Sequence, residues 1–151
     1  MKKTLAGILA ALLVLSMAAA AWAANETSGT TTVTLIIGSE YTVIIPEAQT
    51  IHFNAAVTDI GAVGLASARL EPDHQVTVAA AYDKLKDQED SSKTIVYTLQ
   101  SQGTAFTSAA FTAAGTVPLS IAITEGDWAK ATAGSYQDTI TFTFTYGEMT
   151  A

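Results

Sequence analysis

The chain has 151 residues, with 14 acidic against seven basic side chains and no cysteine. The missing thiols exclude disulfides, a thiol nucleophile, a cysteine-ligated metal and a lipid-modified N-terminal cysteine. A net charge of −7 opposes binding to nucleic acid or to anionic headgroups.

Lys2 and Lys3 form a positive n-region ahead of an apolar run from Leu5 to Ala21, closed by Ala21-Trp22-Ala23. That pattern predicts a signal peptide over 1–23, cleaved after Ala23, and a secreted product at the extracellular cell surface, outside the membrane once processed. From Ala24 onward five cations face all 14 acidic residues, a net charge of −9 that favours solubility. Residues 24–31 are small and polar and read as a flexible tail, and 32–147 as one domain. A chain of this size can hold a core by burial alone.

Strand signals then follow one another. Val33, Leu35 and Ile37 alternate with Thr32, Thr34 and Ile36, and Tyr41, Val43 and Ile45 resume after Gly38-Ser39. Pro46 stops that run because it has no N–H for a ladder. Ile51 with Phe53 makes a short run, Gly61 to Leu70 a weak one. Val76 to Tyr82, Ile95 to Leu99 and Leu119 to Ile123 make clear ones. The charged stretch Asp83 to Lys93 reads as a surface loop, and Glu125 to Ala131 as a single helical turn with Asp127 as its N-cap.

Last comes Tyr136, Asp138, Ile140, Phe142, Phe144 and Tyr146, alternating with Gln137 and four threonines. A period of two puts the aromatics on one face of a long strand and the hydroxyls on the other. Tyr136, Ile140, Phe142, Phe144 and Tyr146 are therefore expected to be structural, with Tyr136 hydrogen-bonded to backbone at a sheet corner. About seven to nine such strands separated by turn residues predict an all-β, immunoglobulin-like antiparallel β-sandwich.

Candidate chemistry is sparse. His52 and His74 stand in no nucleophile or zinc motif, and the carboxylates form no glycosidase-like pair beside aromatic platforms. No enzyme is expected and no cofactor. Asp83, Asp87, Glu89 and Asp90 offer oxygen ligands to calcium, but without EF-hand spacing or its central glycine, so a solvated loop is the preferred reading. Trp128 is read as a plug at the open end of the sandwich, with a sugar-stacking platform as the other reading.

Ala133 to Tyr146, A-G-S-Y-Q-D-T-I-T-F-T-F-T-Y, resembles the closing strand of small exported bacterial surface sandwiches. It looks like the WxL-type surface proteins of Gram-positive bacteria and, more distantly, the spore coat protein U and fimbrial-subunit group. The tryptophan motifs of the first and the cysteines of the second are absent here. The resemblance implies a secreted, non-catalytic structural or adhesive protein of the cell surface. Its implied partners are other surface proteins, cell-wall glycan or further copies of itself, as a homo-oligomer or a pilus-like filament. Val33, Leu35 and Ile37, directly behind the tail, are candidates for pairing with a neighbour's sheet edge. Trp128 is a further interaction candidate, and a carbohydrate-binding module is the alternative class.

Overall fold

The computed structural model describes residues 31–149, so the expected signal peptide and most of the expected tail lie outside the described residues. Two compact units divide the chain after Gly38. Of the first, residues 31–38 are described. They form no strand, and Val33, Leu35 and Ile37 are 87%, 77% and 56% exposed. The expected first strand is thereby corrected: alternation supplies a foldable face, but a strand needs a partner for its backbone groups, and among the described residues no strand pairs with this segment.

The second unit, from Ser39 onward, is all-β apart from one helical turn. Eleven strands run in the order β1 Glu40–Ile44, β2 Val57–Arg69, β3 His74–Ala81, β4 Leu85–Asp87, β5 Thr94–Ile95 and β6 Thr98–Ser101. Then follow β7 Thr104–Ala105, β8 Ser108–Phe111, β9 Gly115–Ala122, the turn α1 Glu125–Trp128, β10 Tyr136–Gln137 and β11 Thr141–Glu148. The count exceeds the expected seven to nine because two continuous patterns are each split in two and because β4, β7 and β8 arise where no strand was expected, while the runs at Val33–Ile37 and Ile51–Phe53 form none.

Five strands form one sheet, ordered β1-β2-β9-β6-β7, and three form a second, β11-β3-β8. A small third sheet, β10-β4-β5, completes the antiparallel sandwich. Val63, Leu65, Leu99 and Leu119 of the five-stranded sheet share one buried cluster with Val76, Val78 and Phe111 of the three-stranded sheet.

The weakest sequence pattern makes the longest strand. β2 has 13 residues and pairs with β1 on one side and β9 on the other. With both edges satisfied, consecutive Val63, Gly64 and Leu65 are all buried, which erases the alternation. Gly64 is required here: a Cβ would strike the Gly115 carbonyl and sit 2.8 Å from the Thr116 Cα, both on β9. At Gly61 (φ +96°) the register with β9 shifts, and the Gly61 N–H donates to Asp59 Oδ1 at 2.7 Å, a bulge only glycine accommodates comfortably.

Several other expectations need correction. Ile51 and Phe53 lie in an irregular segment that runs from Ile45 to Ala56. Ile95 to Leu99 divides between β5 of the small sheet and β6 of the large one, so the chain changes sheets at Val96-Tyr97. The loop Asp83 to Lys93 contains β4, and Asp87 at its end is buried. The N-cap of α1 is Thr124, not Asp127. Thr124 Oγ1 accepts from the Asp127 N–H at 3.1 Å while its hydroxyl donates to Asp127 Oδ2 at 2.6 Å, a reciprocal cap in which Asp127 is the third helical residue.

The closing strand is likewise broken. β10 pairs with β4 and β11 with β3, and Asp138 to Ile140 belong to neither. The cause is Asp138, whose Oδ2 accepts from the Tyr97 hydroxyl at 2.6 Å and from the Asp83 N–H at 3.0 Å. Beyond the break the alternation holds: Phe142, Phe144 and Tyr146 pack on the core while Thr141, Thr143 and Thr145 are exposed.

Candidate functional site

The two long sides of the sandwich are finished differently. On one, the chain itself crosses from β7 to β8 through buried Phe106. The Phe106 N–H donates to the Leu99 carbonyl at 2.8 Å, and the Ala80 N–H to the Thr107 carbonyl at 3.0 Å, so this crossing is hydrogen-bonded to both sheets. On the other side lie β1 and β11, each with a strand partner on one flank only. They meet at one point, where Tyr41 stacks on Tyr146 with ring centroids 6.4 Å apart and Ser39 Oγ lies 2.9 Å from Tyr146 Oη. β1 then ends before Pro46, and its line continues as irregular chain.

There a cleft of about 1000 Å³ opens between the Ile45–Phe53 segment and the stretch from Ala131 to Phe142. Its lining includes Ile60, Ile95 and Ile121, each less than a tenth exposed, and Ile140 and Phe142. Ile45 and Phe53 on the rim are 51% and 74% exposed. This rim is what sequence reasoning missed. The available signal was Pro46 followed by apolar residues too irregular to pair, which marks a strand that cannot continue.

The A-G-S-Y motif holds the far bank of the cleft. Gly134 lies so close to the Asp87 carboxylate that no Cβ fits, and the same Cβ would stand 3.4 Å from the Tyr136 ring. Asp87 Oδ1 in turn accepts from the N–H groups of Glu89 and Asp90 at 2.8 and 3.0 Å. The Tyr136 hydroxyl donates to the Thr132 carbonyl at 3.0 Å, four residues upstream, which is the corner geometry its position implied.

The four calcium candidates do not converge. Asp87 is occupied as just described, Asp83 pairs with Lys86 at 2.7 Å, and Asp90 binds Ser92 at 2.6 Å with Lys93 at 3.9 Å. The Lys86 ammonium holds the Asp83 carboxyl below the usual carboxylate range, and the Ser92 hydroxyl and N–H do the same for Asp90. No group of three or more metal-binding side chains gathers among the described residues.

Trp128 donates its indole N–H to the Ala55 carbonyl at 3.0 Å and packs against the core. Phe53 meets it edge-on, with centroids 5.4 Å apart and planes at 78°. Two rings at that angle present no common flat face to a sugar. His74 stacks on Tyr146 at 5.1 Å with Nδ1 2.9 Å from the Pro72 carbonyl, and His52 is exposed.

Beside the cleft, burial first and then the Asp138 carboxylate push the Tyr97 phenol above its ordinary ionisation range. Below pH about 10 folded and unfolded chains both keep this proton, and its contribution to stability is constant. Above that the unfolded chain releases the proton while the folded chain retains it. Stability then falls with rising pH by about 1.4 kcal/mol per unit until the folded phenol also ionises. Urea titrations between pH 9 and 11.5 should show this slope in the parent and a shallower one in Tyr97→Phe; equal slopes would refute the assignment.

No protein-family model, no curated protein and no solved structure matches the chain.

Proposed function

We propose that this is a secreted, non-catalytic structural protein of the bacterial cell surface, a fibre subunit whose copies join by strand addition. The observation that carries the reading is Thr31 to Gly38. This segment places an apolar residue at every second position from Val33 to Ile37, with Ile36 a further one between them, yet it forms no strand, and Val33, Leu35, Ile36 and Ile37 are all exposed. An exposed apolar ribbon is a liability unless another surface covers it, and the same fold leaves two sheet edges unpaired on one side. Backbone hydrogen bonds along an edge give such a union its affinity, and alternate side chains its selectivity. The resemblance of Ala133 to Tyr146 to exported surface sandwiches agrees with this duty. The −9 charge from Ala24 onward makes the copies repel, so their association should strengthen as salt is raised.

Light scattering on the processed protein at high concentration tests the reading. Multiples of the monomer mass should form, and removal of residues 24–37 should abolish them. A parent that stays monomeric across salt and concentration would end the proposal. The carbohydrate-binding alternative draws less support, because the Phe53 and Trp128 rings are nearly perpendicular.

A further inference from the structure

We infer that the pocket lined by Phe53, Trp128 and Glu125 is a binding site for a quaternary ammonium group, the trimethylated cation that choline carries. The site is built wholly within the unit that starts at Ser39 and is independent of strand addition between copies.

The walls select a cation. Phe53 and Trp128 line a pocket of about 680 Å³, within the span of small-ligand sites. Their rings stand at 78° with centroids 5.4 Å apart. Rings so arranged cannot sandwich a flat ligand, but they bound a corner that suits a rounded group. The negative face of an aromatic ring attracts a cation, and tryptophan does so most strongly. Buried Ile123 and three alanines complete the lining beside Asn54 and Glu125. Among the described residues no lysine or arginine lines the pocket, and Glu125 pairs with no cation. A positive ligand therefore meets one carboxylate and no competing charge of its own sign.

Local structure holds these walls in place. The indole N–H of Trp128 is already given to the Ala55 carbonyl at 3.0 Å, which fixes the ring and leaves its π system for a ligand. Phe53 is 74% exposed, yet it stands on a built turn. The Ala55 N–H donates to the His52 carbonyl at 3.1 Å, and Asn54 takes a φ of 63°, a left-handed conformation that asparagine tolerates. The Asp127 carboxylate is engaged by the Thr124 hydroxyl at 2.6 Å, whereas Glu125 lines the pocket. The polar groups then select the kind of cation. A primary ammonium carries three N–H donors, and the only side-chain acceptors in the lining are the Glu125 carboxylate and the Asn54 amide oxygen. A quaternary ammonium carries none, so it enters the corner without leaving a donor unpaired.

Trp128 is the only tryptophan from Ala24 onward, so its emission in the processed protein reads the pocket directly. Choline should change that emission in a saturable way, and its N-methyl proton resonance should move upfield under the ring currents. Two probes dissect the recognition: ethanolamine, a primary ammonium, and the uncharged isostere of choline in which a tert-butyl group replaces trimethylammonium. Both should bind at least about tenfold more weakly. Phe53→Leu keeps an apolar side chain but removes a ring, and should weaken choline about tenfold with an unchanged thermal melt, while Phe53→Tyr restores binding. Glu125→Gln should weaken it about fivefold and flatten its salt dependence. Phosphocholine and phosphatidylcholine vesicles distinguish the sources of the group. Binding to both supports the site with a lipid headgroup as source, and binding to phosphocholine alone supports it with a soluble or glycan-borne ester. Equal binding of choline and its uncharged isostere would overturn the assignment, because the site would then be merely apolar. So would choline binding that neither Phe53→Leu nor Glu125→Gln alters, or the absence of any saturable change.

Discussion

Leu99→Ala should lower the stability of the domain by about 2–5 kcal/mol, the range for truncating a fully buried leucine. Leu99 is 0% exposed and pairs with Ile121 of β9. Its carbonyl accepts the Phe106 N–H at 2.8 Å, and its own N–H donates to the Tyr82 hydroxyl at 3.2 Å. Three strand connections therefore converge on this backbone, and the surroundings have little freedom to collapse into the space of the lost side chain. Small domains hold only about 5–15 kcal/mol in total, so a large fraction would go. With a slope of about 1–3 kcal/mol per molar, the urea midpoint should drop by roughly 1–3 M. Val96→Ala supplies the comparison: Val96 is 47% exposed, and its truncation should change stability by about 0.5 kcal/mol or less. Equal losses at the two positions would contradict the burial pattern.

Leu35→Asp should have the opposite profile, an unchanged melting temperature and a loss of self-association. In the described chain Leu35 is 77% exposed and forms no part of the core cluster, so the domain does not depend on it. In the proposed complex the leucine is covered, and its burial contributes about 1.5–3 kcal/mol. A carboxylate at the same place loses that gain and carries a desolvation cost of several kcal/mol. Together these weaken association by at least about a thousandfold, since each 1.4 kcal/mol is a factor of ten. Sedimentation velocity beside a thermal melt reads both quantities, with Leu35→Ile as the conservative companion that retains association. A fall in melting temperature with Leu35→Asp would show that the segment belongs to its own domain after all. Unchanged association would show that it joins nothing.

The candidate cleft was half legible. Phe142, Ile140 and Tyr136 stand out as a structural face because their spacing shows it, and Val33, Leu35 and Ile37 stand out as a ribbon for the same reason. The opposite rim, Ile45 to Phe53, shows no period, because irregular chain does not repeat its side-chain directions. Asp138 illustrates the limit within a single residue. Its inward phase is visible from the alternation, but its effect is not, because the hydroxyl that draws it in belongs to Tyr97, 41 residues earlier.

The sequence by itself determined the material: a cysteine-free acidic chain of two-faced strands, aromatics inward and threonines outward, with no helix longer than a single turn among the described residues. Alternation is a local property, written in successive dihedrals and in which side chain follows which. Tertiary structure alone decided that the plainest strand breaks at Asp138, that the faintest becomes the thirteen-residue β2, and that β1 and β11 each keep one edge without a strand partner. Those outcomes depend on partners far apart in the chain, such as the backbones of Gly64 and Gly115 and the hydroxyls of Ser39 and Tyr146, 107 residues apart. A strand's period says that it can pair, whereas only the space around it says whether a partner is there.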